Sequence, residues 1–279
     1  MKCFDIELKK EYTFLGEGDK NPTVTAYLPY NLKEMGRADQ KRPCMVICPG
    51  GAYATVSERE SEPVALKFLN LGFNVFVVNY SVAPHRYPTQ LLEVAATFEL
   101  IYENVDAWNC DTDKIGIIGF SAGGHLAAHY SNAYNCDAVR AVFKNSKQPN
   151  FTVLGYPVIS ADKAIAHQGS FINLLGQYPE GEKAAEFSCE CLVSQNSPKA
   201  FIWHTVGDNA VPVQNSLVYA NALAKSGVPF ALHIYPYGQH GLSTVDYLTN
   251  NDCDLDSKNE YAAEWLVDLA KWLKIEEII

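Results

Sequence analysis

From residue 43 onward, short β-branched apolar runs alternate with segments whose apolar residues recur every three or four positions. That alternation predicts strands and helices in turn, and so a mostly parallel twisted sheet with helices on both faces. Cys44-Met45-Val46-Ile47-Cys48 reads as a buried strand ended by Pro49-Gly50-Gly51. Pro63 opens a helix with Val64, Phe68 and Leu71 on one face, and Gly72 closes it. The residues from Asn74 to Val78 form the next strand, and Leu91, Ala95, Phe98, Tyr102 and Val105 mark an amphipathic helix. A short strand from Lys114 to Ile118 then runs into Gly119-Phe120-Ser121-Ala122-Gly123-Gly124 and a helix-compatible stretch, His125-Leu126-Ala127-Ala128.

Further strands are predicted from Phe151 to Leu154, Phe201 to Thr205 and Phe230 to Ile234, and Trp265, Leu269, Trp272 and Leu273 share one stripe of a last helix. Upstream, Phe4 to Leu8 and Thr23 to Leu28 read as two strands added antiparallel at one edge. The periodicity weakens between Ile159 and Pro198, so an inserted lid is expected at 160–198 within a single domain spanning 1–279; a surface excursion without a role in binding is the alternative.

With 48% hydrophobic and 19% charged residues, the chain can build a sizeable core and is neither fibrous nor disordered. A formal charge of −10 without a dense Lys/Arg run excludes a nucleic-acid partner, because such affinity comes from basic residues that release counterions. The eight cysteines, Cys253 among them, include no C-x-x-C pair, so reduced thiols and no metal are expected. The first residues lack an apolar signal core, and no apolar run is long enough to span a bilayer, which points to a cytoplasmic protein without membrane attachment. Oligomeric state is left open, a homo-oligomer being compatible with these features.

The glycine-rich turn carries the candidate chemistry. A serine at a sharp strand-to-helix turn projects its hydroxyl above the carboxyl edge of the sheet, small neighbours permit the strained backbone, and the helix start offers N–H groups to an anion. Ser121 is therefore the candidate nucleophile. A serine hydroxyl needs a base, and the base needs an orienting acid. His240, in the glycine-flanked loop Tyr237-Gly238-Gln239-His240-Gly241, lies past the last strand, and Asp208 leaves the strand before it. The chain order serine, aspartate, histidine distinguishes this arrangement from other triad scaffolds. The oxyanion of an attacked carbonyl needs two donors, for which Ala122 and the loop residues Gly51 or Ala52 are the candidates. Tyr53 is the candidate substrate contact. Tyr80, Phe171 and Trp203 are further aromatics that could shape a site, with core packing the simpler role for Trp203.

Taken together, Pro49-Gly50-Gly51-Ala52-Tyr53, Gly119-Phe120-Ser121-Ala122-Gly123-Gly124-His125, Asp208-Asn209-Ala210-Val211-Pro212 and Gln239-His240-Gly241 resemble the α/β-hydrolase superfamily over nearly the whole chain from residue 43. Val82-Ala83-Pro84 and Tyr87-Pro88 fit the acetyl-esterase branch related to hormone-sensitive lipase, with its xylan and carbohydrate acetyl esterases. Pro-Gly-Gly-Ala stands where relatives carry His-Gly-Gly-Gly, and Phe120 where many carry an acidic residue, which speaks against lipase-like activity. The resemblance implies a cofactor-free serine esterase for short acyl groups, with acetylated sugars as the leading substrate class.

The triad alone does not separate ester from amide hydrolysis, so a small peptidase or arylamidase is the enzymatic alternative. With only about 40 residues ahead of the first core strand, no propeller domain is expected. A catalytically silent binding module is the alternative of another class.

Overall fold

The computed structural model describes residues 1–12, 21–250 and 257–279; Cys253 lies outside the described residues. Among the described residues the strands are β1 (Lys2–Glu7), β2 (Thr23–Leu28), β3 (Arg42–Cys48), β4 (Asn74–Asn79), β5 (Cys110–Phe120), β6 (Phe151–Gly155), β7 (Lys199–Thr205) and β8 (Phe230–Tyr235). They form one sheet in the order β1-β2-β4-β3-β5-β6-β7-β8. The six strands from β4 to β8 run parallel, and β1 and β2 are added antiparallel at the β4 edge. This is the α/β-hydrolase architecture.

The helices fill the crossovers. A single turn, α1 (Leu8–Glu11), follows β1; α2 (Glu62–Asn70) and α3 (Thr89–Glu103) follow β3 and β4; α4 (Ser121–Ala133) grows directly out of β5, with α5 (Asp137–Arg140) beyond it. Between β6 and β7 lie α6 (Gln168–Leu175), α7 (Glu182–Glu186) and α8 (Cys189–Leu192). Next come α9 (Gln214–Lys225), which joins β7 to β8, and α10 (Ser257–Glu260) and α11 (Glu264–Ile275). Among the described residues no helix is long and apolar enough to cross a membrane, and seven cysteines are free.

Side chains on a strand alternate between faces, and β3 shows what that does here. Cys44, Val46 and Cys48 join α3, α4 and α9 in one buried cluster, whereas Met45 and Ile47 join α2 and α11 in the other. Both faces are covered, which is why the central strands read as continuous apolar runs. Trp265, Leu269, Trp272 and Leu273 form the buried stripe of α11, as the spacing predicts.

Several boundaries differ from the sequence reading, and three of them have a local cause. Leu8 is not the end of β1 but the start of α1, where its N–H bonds Pro22 O and the chain turns to bury the side chain. Val105 lies beyond α3, because the Asn104 side-chain amide donates to Leu100 O and ends the helix. Strand β5 starts at Cys110 rather than Lys114, since Arg42 of β3 pairs there before an irregularity in the register. Segment 160–198 forms three short helices, and Phe171, Leu174 and Phe187 pack into the same cluster as α4.

Candidate active site

Strand β5 ends at Phe120 and α4 begins at the next residue, so the chain must reverse within one position. Ser121 takes φ +54° there, in the left-handed region that a side chain normally avoids. The glycines around it make this turn possible. A Cβ at Gly119 would lie 2.1 Å from Gly123 O, and one at Gly123 would lie 2.1 Å from Cys48 O. The turn is thereby pressed against the end of β3.

Two loops from the same sheet edge meet the serine. After β7, Asp208 accepts the N–H groups of Ala210 and Val211 on Oδ1, at 2.9 and 2.8 Å, which aims Oδ2 at the imidazole of His240. Asp208 Oδ2 lies 2.7 Å from His240 Nδ1, and His240 Nε2 lies 2.8 Å from Ser121 Oγ. A carboxylate only accepts, so Nδ1 carries the proton and Nε2 presents its lone pair to the serine hydroxyl. The loops are tied to each other as well: Thr205 Oγ1 donates to Gly238 O at 2.8 Å, and Gly207 approaches Gly238 so closely that a Cβ would meet its carbonyl at 2.9 Å.

The aspartate stays ionised despite its burial. Burial pushes its pKa up, but hydrogen bonds from His204 and His240, the charge on His240 and the Val211 N–H outweigh it and hold the carboxyl well below its usual range. His204 is a contributor that its strand position concealed. It is fully buried, with Nε2 3.2 Å from Asp208 Oδ2 and 3.0 Å from Val211 O, while Nδ1 meets Ser216 Oγ at 2.8 Å.

The loop after β3 supplies the other wall of the site. Gly51, Ala52 and Tyr53 all have positive φ, at +119°, +55° and +56°. The N–H groups of Gly51 and Ala52 have no acceptor among the described residues, and both residues line a cavity of about 350 Å³ together with Ser121 and His240. Ala122 is in the first turn of α4, where backbone N–H groups have no intrahelical partner. The segment between β6 and β7 touches the same loop: Asn173 donates to Ala52 O at 2.9 Å, and His167 lines the cavity. Burial, and to a lesser degree the charge of His240, lowers the pKa of His167.

Tyr53 does not reach the cavity, contrary to the sequence expectation. Its positive φ turns the ring inward, where it is 1% exposed, packs against Tyr80 and meets His125 Nδ1 through its hydroxyl at 2.9 Å. His125 Nε2 faces Phe187 O, so that nitrogen donates and Nδ1 accepts the Tyr53 proton. Tyr53 thus braces the loop from below. Tyr80, whose hydroxyl donates to Pro49 O at 2.6 Å, does the same, and Phe171 and Trp203 are equally buried.

Glu60 is the site residue least visible in the sequence. It is 3% exposed, its Oε2 accepts the Gly50 N–H at 2.7 Å, and its Oε1 accepts the Tyr156 hydroxyl at 2.6 Å. Tyr156 oxygen in turn accepts the Ser243 N–H at 2.9 Å, and its ring packs edge-on against His240. One carboxylate therefore links the loop after β3, the end of β6 and the histidine loop. Glu60→Gln leaves only one acceptor for two donors, and a Tyr156 phenol that accepts from the new amide loses the partner for its own proton. The variant is expected to lose about 1–3 kcal/mol of stability, the penalty of an unsatisfied buried group, and to show a lower kcat. Equilibrium unfolding in urea with parallel kinetics checks this; an unchanged unfolding midpoint and kcat would remove Glu60 from this role.

With the geometry described, comparison with known proteins identifies the lineage. The BD-FAE family profile matches residues 32–223. The chain belongs to the BD-FAE family. It is 32% identical over 271 residues to an acetylxylan esterase of Xylanibacter ruminicola, which covers 95% of this chain and 50% of that protein. It is 36% identical over 252 residues to endo-1,4-beta-xylanase B of Butyrivibrio fibrisolvens, covering 87% of this chain and 38% of that protein. The chain thus spans half or less of the length of these relatives. The crystal structure of an acetyl ester-xyloside bifunctional hydrolase from Caldicellulosiruptor lactoaceticus superposes with a TM-score of 0.84 at 35% identity, covering 99% of this chain and 97% of that one. In sequence and in fold, this BD-FAE member groups with carboxylic ester hydrolases of the α/β-hydrolase superfamily.

Proposed function

We propose that the chain is a serine esterase that removes short acyl groups, acetyl foremost, from sugars such as acetylated xylo-oligosaccharides. The observation that carries this reading is the unbroken relay Asp208–His240–Ser121, with the serine hydroxyl on a cavity also lined by Gly51 and Ala52. The acyl carbonyl is attacked by Ser121 Oγ as His240 Nε2 takes the hydroxyl proton, and Asp208 stabilises the resulting imidazolium. The oxyanion is received by the N–H of Ala122 and that of Gly51 or Ala52. Collapse breaks the bond to the alcohol, which leaves with the proton from His240. Water then repeats the sequence on the acyl-enzyme and releases the acid and the free serine. At about 350 Å³ the cavity is near the lower end of small-molecule sites, in keeping with a short acyl group. The names of the acetylxylan esterase and the acetyl ester-xyloside hydrolase support acetylated sugars as the substrate class.

The test combines acetate release from acetylated xylo-oligosaccharides, 4-nitrophenyl esters of graded chain length, and labelling by a fluorophosphonate. Acetate release, a kcat/KM that falls as the acyl chain lengthens and an adduct on the peptide containing Ser121 are expected. Anilides turned over as fast as esters would point to an amidase. Failure to label Ser121, with no turnover of any ester, would point to a binding module.

A further inference from the structure

Arg59 lines the same cavity as Ser121 and His240, and among the described residues lining it there is no other lysine or arginine. Its guanidinium lies over the histidine loop, 3.3 Å from where a Cβ on Gly241 would stand. It forms no ion pair among the described residues. The adjacent carboxylate, Glu60, also lines the cavity, but its two oxygens are taken by the Gly50 N–H and the Tyr156 hydroxyl and it makes no ion pair with Arg59. Asp208 is fully buried and committed to His240 and His204. The cavity therefore presents a guanidinium without an ion-pair partner among the described residues, in a chain whose overall formal charge is −10. Local fields in a cleft follow the nearest unpaired charges rather than the global sum.

We propose that Arg59 selects ester substrates bearing a carboxylate on the sugar or alcohol portion, so that an acidic acetylated sugar is preferred over a neutral one of the same size. This rests on Ser121 being the esterase nucleophile. A planar guanidinium offers two parallel N–H donors that match the two oxygens of a carboxylate, and the pairing is stronger than a neutral hydrogen bond. Its place beside Gly241 sets the carboxylate on the histidine side of the cavity, the side toward which the departing alcohol takes its proton.

The experiment compares kcat/KM for methyl O-acetyl-glucuronosides with that for their neutral carboxamides, in the wild type, Arg59→Gln and Arg59→Lys. Because the ratio of acid to amide is read, any general effect of the substitution cancels. The wild type is expected to prefer the acid by about 10-fold or more, the usual discrimination of a charged hydrogen bond. That ratio should shrink as sodium chloride is raised, fall to one or below in Arg59→Gln, and be intermediate in Arg59→Lys. A wild-type ratio of one overturns the proposal. So does a ratio that Arg59→Gln leaves unchanged while both rates fall, which would make Arg59 a brace for the histidine loop. A wild type that hydrolyses neither member of the pair nor 4-nitrophenyl acetate, and takes no label at Ser121, contradicts instead the esterase reading beneath it.

Discussion

Ser121→Ala is expected to lower kcat for 4-nitrophenyl acetate by about 10⁵–10⁶-fold, the loss seen when a triad nucleophile is removed. The substitution deletes one oxygen and leaves the rest of the site in place. The backbone turn is already held by close contacts at Gly119 and Gly123, and the Ser121 carbonyl keeps its bond from the Val158 N–H at 2.9 Å. Only the bond to His240 Nε2 is lost, so stability should change by no more than about 1 kcal/mol. A residual rate within tenfold of the wild type, in protein with an unaltered circular dichroism spectrum, would show that another group performs the attack. Mass spectrometry after fluorophosphonate treatment gives an independent reading, because the variant should remain unmodified.

Asp208→Asn should be nearly as damaging, lowering kcat by about 10⁴-fold, and the hydrogen bonds explain why. The N–H groups of Ala210 and Val211 both point at Oδ1, so the amide oxygen of asparagine must take that place. Its NH₂ group then faces His240 Nδ1, where the carboxylate oxygen now lies at 2.7 Å. Nδ1 becomes the acceptor, the ring proton moves to Nε2, and the nitrogen facing Ser121 can no longer accept the hydroxyl proton. The expected signature is a fall in kcat with little change in KM. A kcat within tenfold of the wild type would exclude Asp208 as the group that sets the tautomer.

The same carboxyl ties stability to pH. Its folded-state pKa lies below the unfolded value of about 3.9. As pH drops through that window, the unfolded chain takes up a proton that the folded chain refuses, so the stability owed to the ionised form is present above about pH 4 and lost below it. Denaturation midpoints of the wild type and Asp208→Asn should therefore converge as the pH is lowered from about 5 toward 2.

Much of the frame could be read along the chain because it depends on local regularity. The continuous apolar run of β3 records a strand covered on both faces, and the spacing of Trp265, Leu269, Trp272 and Leu273 records which face of α11 is covered. The order in which Ser121, Asp208 and His240 follow β5, β7 and β8 places all three at one sheet edge, where they are hydrogen-bonded. As an aromatic, Tyr53 is a candidate substrate contact in the sequence, yet with a φ of +56° its ring lies in the core. Glu60 lies in a polar stretch that looks like an exposed turn, and its partner Tyr156 is 96 residues away.

The sequence by itself determined the layered α/β frame, the strained serine turn and the three residues that leave the sheet edge, since each follows from periodicity or from a motif whose parts are neighbours in the chain. Only the tertiary structure decided that Glu60, Tyr156 and His204 brace those loops, that Tyr53 faces inward, and that Arg59 lines the cavity with no ion-pair partner among the described residues. Burial, backbone handedness and ion pairing between distant residues arise from the packing of separate segments, and that information becomes local only once the sheet has brought the segments together.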